Sequence, residues 1–199
     1  AYGNFEAREI MISAQSNGKL LEFIPREGNV LEAGTLAGWI DTSSFFINIL
    51  QIEANKKAVL SRIDNIKAQK AVLLQKTENL KTDQKRIQQL FMDEAATQKQ
   101  VDDINGALKV AHKEAAALDV QINAIKEEMN VLDMNILSVR DKIEKCRIEN
   151  PVKGSVLSTY VENSEFVVAG KPLYKMAGMD QLELRVFVSG KQLQAIKTG

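Results

Sequence analysis

The chain has 199 residues, with 26 Lys+Arg against 26 Asp+Glu, and is 45% hydrophobic but only 6% aromatic. A balanced charge is no footprint for nucleic acid, and no run of about 18 apolar residues offers a transmembrane helix. One or two ordinary domains would fit this length, yet the helix breakers crowd at the ends. Between Trp39 and Lys153 the one glycine is Gly106, and no proline falls between Pro25 and Pro151.

In chain order, the first segment runs from Ile10 to Thr42. It alternates apolar and polar residues in short runs broken by Gly or Pro, with Asn17-Gly18-Lys19-Leu20-Leu21 and Ala33-Gly34 as landmarks. That pattern predicts small strands linked by turns. Trp39 is expected to pack inside this sheet module. No basic-then-apolar signal segment opens the chain, which reads as an excised fragment whose targeting region lies elsewhere.

A long helical stretch follows, predicted over 43–147. Positions 45, 49, 52, 56, 59, 63, 66, 70, 73, 77, 80, 84, 87 and 91 are apolar apart from Lys56, Lys70, Thr77 and Gln84. Positions 101, 104, 108, 111, 115, 118, 122, 125, 129, 132, 136, 139, 143 and 146 read Val, Ile, Leu, Ala, Ala, Leu, Ile, Ile, Met, Leu, Ile, Val, Ile, Cys. A seam that keeps alternate steps of three and four this long belongs to a coiled coil, because an ordinary surface helix drifts off a strict heptad. Two such arms, joined by a polar turn near Asp93–Gln98, predict an antiparallel hairpin. An arm from Phe45 to Met92 reaches about 70 Å at about 1.5 Å rise per residue. The four polar seam residues either fix register or lie against a neighbouring hairpin. Gly106, within about three turns of the tip, is expected to permit a bend or close packing during docking.

Beyond the arms the first segment repeats. Lys153-Gly154-Ser155-Val156-Leu157 matches Asn17–Leu21, and Ala169-Gly170 matches Ala33-Gly34, with 136 positions between copies at both glycines. Neither copy, at roughly 30 residues, buries enough surface alone, so the two halves are predicted to pair and to hold the bases of both arms. After residue 178, Leu182–Val188 reads as one strand and Lys191–Lys197 as a short helix, the opening of a further β domain.

Chemistry-bearing residues are sparse. His112 is the sole histidine and has no second ligand at metal spacing. No nucleophile–base pair can be assembled, no Gly-rich phosphate loop occurs, and Asp102-Asp103 and Glu127-Glu128 fit a solvated helix face. Cys146 falls on the seam and reads as a buried thiol. Nothing here predicts catalysis, a metal or a cofactor.

A small β module split by a long helical hairpin resembles the periplasmic adaptors, or membrane fusion proteins of the HlyD type. The residues that carry the likeness are Ser16-Asn17-Gly18-Lys19-Leu20 through Glu27-Gly28-Asn29-Val30-Leu31-Glu32-Ala33-Gly34, and Ile148-Glu149-Asn150-Pro151-Val152-Lys153-Gly154-Ser155-Val156. Each half is also similar to half of a lipoyl or biotinyl carrier domain. No lipoylation or biotinylation sequence occurs, however, and Tyr174-Lys175-Met176 is only an imitation. The resemblance implies an α+β fold: a coiled-coil hairpin (43–147) between two halves of a lipoyl-like β-sandwich (10–42 and 148–178), then the start of a β-barrel domain (179–199).

The resemblance also gives the turn a role. Adaptors that dock onto TolC-like outer-membrane channels carry Arg, Leu and Ser at spacings of four and seven, and Arg86, Leu90 and Thr97 fall at those spacings here. Arg supplies planar multi-donor contacts, Leu fills a groove, and Thr caps the returning helix or donates to a partner. On the residues alone, Arg86 is equally a solvated side chain, Leu90 a neighbour of Phe91, and Thr97 an N-cap. The family further implies a periplasmic location, an inner-membrane anchor outside this chain, an inner-membrane transporter as partner (ATP-driven favoured), and assembly as a hexamer. A coiled-coil scaffold with no transport role and a cofactor carrier domain are the competing classes.

Overall fold

The computed structural model describes the backbone of residues 2–187 and the side chains of residues 7–178. In order come β1 (Tyr2–Ser13), β2 (Gly18–Phe23), β3 (Val30–Leu31), β4 (Leu36–Ile40), α1 (Ser43–Met92), α2 (Gln98–Glu144), β5 (Arg147–Glu149), β6 (Gly154–Thr159), β7 (Phe166–Val167) and β8 (Pro172–Phe187). They form a β unit drawn from both ends of the chain and a helical unit, Asn48–Leu137.

The β unit has two four-stranded sheets, ordered β1-β8-β6-β3 and β5-β4-β2-β7. Its ladders obey the internal repeat pair by pair. Gly18 faces Val167 and Lys19 faces Phe166, while 136 positions on, Gly154 faces Leu31 and Ser155 faces Val30. Leu20–Ile40, Glu22–Trp39 and Phe23–Gly38 are likewise matched by Val156–Met176, Ser158–Lys175 and Thr159–Tyr174, irregularity included. The pairings β1–β8, β2–β7, β3–β6 and β4–β5 all join one half to the other. Neither half completes a sheet, which is the physical reason they pair.

Between the sheets lie Leu20, Ile40, Cys146, Val156, Val167, Leu173, Tyr174 and Met176, all at 0–1% exposure. Cys146 is the buried thiol expected, its Sγ 3.3 Å from the Lys142 carbonyl oxygen. Trp39 is half-buried in β4 of this module, and the core's aromatic pair is Phe23 with Tyr174, ring centroids 6.1 Å apart. A second difference concerns the end of the chain. The strand expected at Leu182 does not begin there, because β8 is continuous from Pro172 and pairs Leu182–Phe187 with Tyr2–Ala7. That N-terminal segment has no assignment from sequence. Val188 and Lys191–Lys197 lie outside the described residues.

In the helical unit the seam behaves as its spacing predicts. From Val101 to Cys146 every seam position of α2 is buried or half-buried, and so is every seam position of α1 except Phe91. Val59, Ile63, Ile122 and Ile125 form its buried centre, with Ile66, Met129 and Leu132 against them. The polar seam residues have partners: Lys56 bonds Asp133 at 2.5 Å, Lys70 bonds Asp119 at 2.5 Å, and Gln84 bonds Asn105 at 2.7 Å. Residues 56, 70 and 84 rise by two heptads per step while 133, 119 and 105 fall by two, so one antiparallel register satisfies all three. Thr77 is 3% exposed and donates its hydroxyl back to the Leu73 carbonyl at 2.9 Å. Within this chain nothing lies within 4 Å of where a Gly106 Cβ would stand.

Candidate functional site

The site singled out by the sequence is the turn between α1 and α2, and its geometry is a pair of helix caps. α1 ends in a Schellman motif: the Ala95 N–H donates to the Leu90 carbonyl at 2.7 Å and the Glu94 N–H to the Phe91 carbonyl at 3.1 Å. Glu94 takes the left-handed conformation this requires, with φ of 55°. α2 opens with a capping box. The Gln100 N–H reaches the Thr97 hydroxyl at 3.3 Å, and the Thr97 N–H donates to Gln100 Oε1 at 2.7 Å. The loop is therefore fixed by its own backbone rather than left loose.

Arg86 is in the last turns of α1, its side chain 70% exposed and paired with Asp83 at 3.4 Å. Leu90 is one turn on, so both project from the same face of α1, and it is 41% exposed. Thr97 is exposed, but its hydroxyl is engaged by Gln100, to which it also donates at 3.1 Å. Phe91, at 41%, and Met92, at 75%, add apolar surface. Phe91 leaves the seam because the chain is already turning: its carbonyl accepts the Glu94 bond. Met92 carries no periodic signal, and the cap at Thr97 was legible while its partner Gln100 was not singled out.

The surroundings add no reactive chemistry. Among the described residues no cluster of three or more His, Cys, Asp or Glu is placed to hold a metal. No described helix is long and apolar enough to cross a membrane. Lys175, in the carrier-like tripeptide, is in mid-strand opposite Met11 and Ser158 and ion-paired to Glu9. Carrier lysines stand on an exposed turn; this one does not.

No family model matches the chain, and neither does any curated protein. The likenesses are structural. MacA from Actinobacillus actinomycetemcomitans is 19% identical with a TM-score of 0.57, over 99% of this chain and 58% of that one. A MacA–MexA chimera containing the Pseudomonas aeruginosa MexA α-hairpin domain is 19% identical with a TM-score of 0.53, over 99% and 57%. A membrane fusion protein from Streptococcus pneumoniae R6 is 11% identical with a TM-score of 0.50, over 98% and 73%. The chain thus spans less than two thirds of both MacA-based structures. Over nearly its whole length, this chain has the fold of the membrane fusion proteins, a helical hairpin set between two lipoyl-like half-sandwiches.

Proposed function

We propose that this chain is part of a periplasmic adaptor that links an inner-membrane transporter to a TolC-like outer-membrane channel, with the hairpin turn as the channel contact. The carrying observation is that turn: a long two-helix arm ends in a loop locked by caps at both ends, presenting Arg86, Leu90, Phe91 and Met92 to solvent. A rigid, exposed, partly apolar end is suited to docking, because little ordering entropy remains to be lost on contact. The role is structural, not catalytic. An ATP-driven transporter is the favoured inner partner, and the full-length protein is anchored at the inner membrane by a segment outside this chain.

Self-association, as a hexamer, belongs to the same proposal. What supports it is the surface turned away from the seam. On α1, Gln51, Ala54, Ser61, Asn65, Ala68 and Val72 are exposed and uncharged; on α2, Val110, Ala117, Val120, Ala124, Val131 and Met134 are exposed and apolar. Solvated helix faces ordinarily carry charge; the apolar residues of α2 are interrupted by Lys113 and Glu127, but the α1 face is charge-free and suits side-by-side packing of copies.

The test is site-directed cross-linking in cells that carry the full-length protein with Cys146 replaced by Ala. Single cysteines at Arg86, Leu90 and Thr97 should cross-link to an outer-membrane channel, and one at Lys67 should not. A silent turn in a protein that is exported and abundant would favour the second reading, a coiled-coil scaffold. That reading draws on the Arg86–Asp83 pair and the Thr97–Gln100 box, which occupy both side chains locally.

A further inference from the structure

The two arms of the hairpin share one height scale. Lys56 is level with Asp133, Arg62 with Glu128, Lys70 with Asp119 and Gln84 with Asn105, so each step up α1 matches one step down α2. In a closed ring every copy stands at one height, because rotation without rise is what closes it. Where copies stand side by side with their arms along the ring axis, the scale carries over between them. α1 of one copy then meets α2 of the next at residues that are level within either copy.

That rule pairs the outer edges of the arms without conflict. Arg62 and Glu128 each precede a seam residue and pair along one side of the hairpin, which places Glu78, Lys85, Asp102 and Lys109 on the other side of both arms. At equal height Glu78 faces the neighbour's Lys109 and Lys85 faces its Asp102, and all four are exposed. A slip of one heptad spoils this in either direction: Glu78 would meet Asp102, or Lys85 would meet Lys109, and like charges set against each other reject a register. Along the middle of the edge, Ala54 and Ala68 meet the larger Met134 and Val120, while Thr82 meets Gly106. Ser61 and Gln75 meet Glu127 and Lys113, so the two charges that interrupt the α2 face find hydrogen-bonding side chains opposite them.

Gly106 is an independent observation. It is exposed, nothing in its own chain lies within 4 Å of its Cβ position, and as a glycine it weakens α2 relative to alanine. With Lys109, Val110, Lys113, Glu114 and Ala117 it lines a shallow, largely apolar groove on α2. A helical glycine that its own chain does not need suits the close approach of another backbone. We propose that this groove seats residues 72–82 of α1 from a neighbouring copy, with Glu78 on Lys109, Lys85 on Asp102 and Thr82 on Gly106 fixing the height of the contact. The inference rests on the side-by-side assembly of adaptor copies and adds which helix meets which, and in what register.

The test is cross-linking by a short bis-maleimide in cells that carry the full-length protein with Cys146→Ala. Within one copy, residues 68 and 120 are on opposite outer edges of the hairpin, out of the reagent's reach, so a link reports two copies. Ala68→Cys with Val120→Cys should give a ladder of covalent multimers. Ala68→Cys with Lys113→Cys, or with Glu127→Cys, samples the slipped heights and should give severalfold less. A slipped pair that links as well as 68 with 120 overturns the register and leaves the adaptor reading standing. No multimer from any pair overturns the inference as well; Leu90→Cys then shows whether the adaptor reading falls with it, by failing to join an outer-membrane channel. Gly106→Leu is the second measure. It should leave the melting temperature of the purified protein unchanged or higher, yet lower the 68–120 ladder severalfold. An undiminished ladder from this variant overturns the seating of Thr82 on Gly106.

Discussion

Tyr174 is fully buried in the core of the β unit, and its ionisation is measurable. Burial pushes its phenol from the ordinary 10.0 up to about 12. The unfolded chain then loses that proton first, so the stability is complete below about pH 10 and falls as pH rises toward 12, by up to about 2–3 kcal/mol. Denaturant unfolding at about pH 8 and about pH 11 should show roughly half of that loss in the parent. Tyr174→Phe should remove this group's share of the dependence, leaving that of Lys175, whose pKa is raised by its hydrogen bond to Glu9, while lowering neutral-pH stability by about 1–3 kcal/mol because Asn150 Oδ1 loses its donor. Ser164 offers the opposite case. It has φ of 71° where Gly28, its counterpart in the repeat, has 84°, a left-handed conformation that glycine adopts without the Cβ clash. Ser164→Gly should leave thermal stability unchanged or raise it by up to about 1 kcal/mol, and a loss of that size would show that the Ser side chain makes a compensating contact.

Among the elements, the hairpin depends on caps and register more than on core volume. Thr97→Ala removes the hydroxyl side of the capping box and should cost about 1 kcal/mol in α2. Hydrogen exchange of the first amides of α2 is the direct measure, and unchanged protection there would refute the capping role. The Lys56–Asp133, Lys70–Asp119 and Gln84–Asn105 bonds make a different prediction. Replacing Lys56, Lys70 and Gln84 together by Leu should raise the melting temperature yet let the arms slip by a heptad, since apolar seam positions accept either register. Arg62 lies 3.1 Å from Glu128, so a short bis-maleimide joining cysteines at 62 and 128 traps the native register. Cysteines at 62 and 121, or at 62 and 135, trap the slipped ones. If the triple variant forms only the 62–128 link, the polar residues do not set the register.

At the scale of the whole molecule, the four pairings that join one half of the sandwich to the other mean the turn need not be intact for the parts to stay together. Cleavage between Asp93 and Thr97 should leave both fragments co-eluting on size exclusion, and separation without denaturant would contradict the inter-half ladders. Much of this was open to a reader of the sequence. The 136-residue repeat foretold paired halves because identical turn chemistry recurs at a fixed offset, and the heptad foretold the seam because burial on a long helix pair follows period alone. The turn's N-cap was legible in Thr97 for the same local reason. Other features were not local. Lys56, Lys70 and Gln84 stood out as polar intruders, but their partners Asp133, Asp119 and Asn105 are each one residue past a seam position, and only the pairing register selects them. Tyr174 sat in a tripeptide that imitates a carrier motif, and Trp39 was the more obvious aromatic for the core. Which ring enters a sandwich depends on where the opposite sheet leaves room, and Tyr174 finds its partners in Phe23 and Asn150. Period and turn chemistry act between neighbours along the chain, so the sequence by itself determined the elements and their repeat. Cross-strand register, the exchange of strands between halves and the choice of buried ring arise between residues far apart in the chain, and only the tertiary structure decided them.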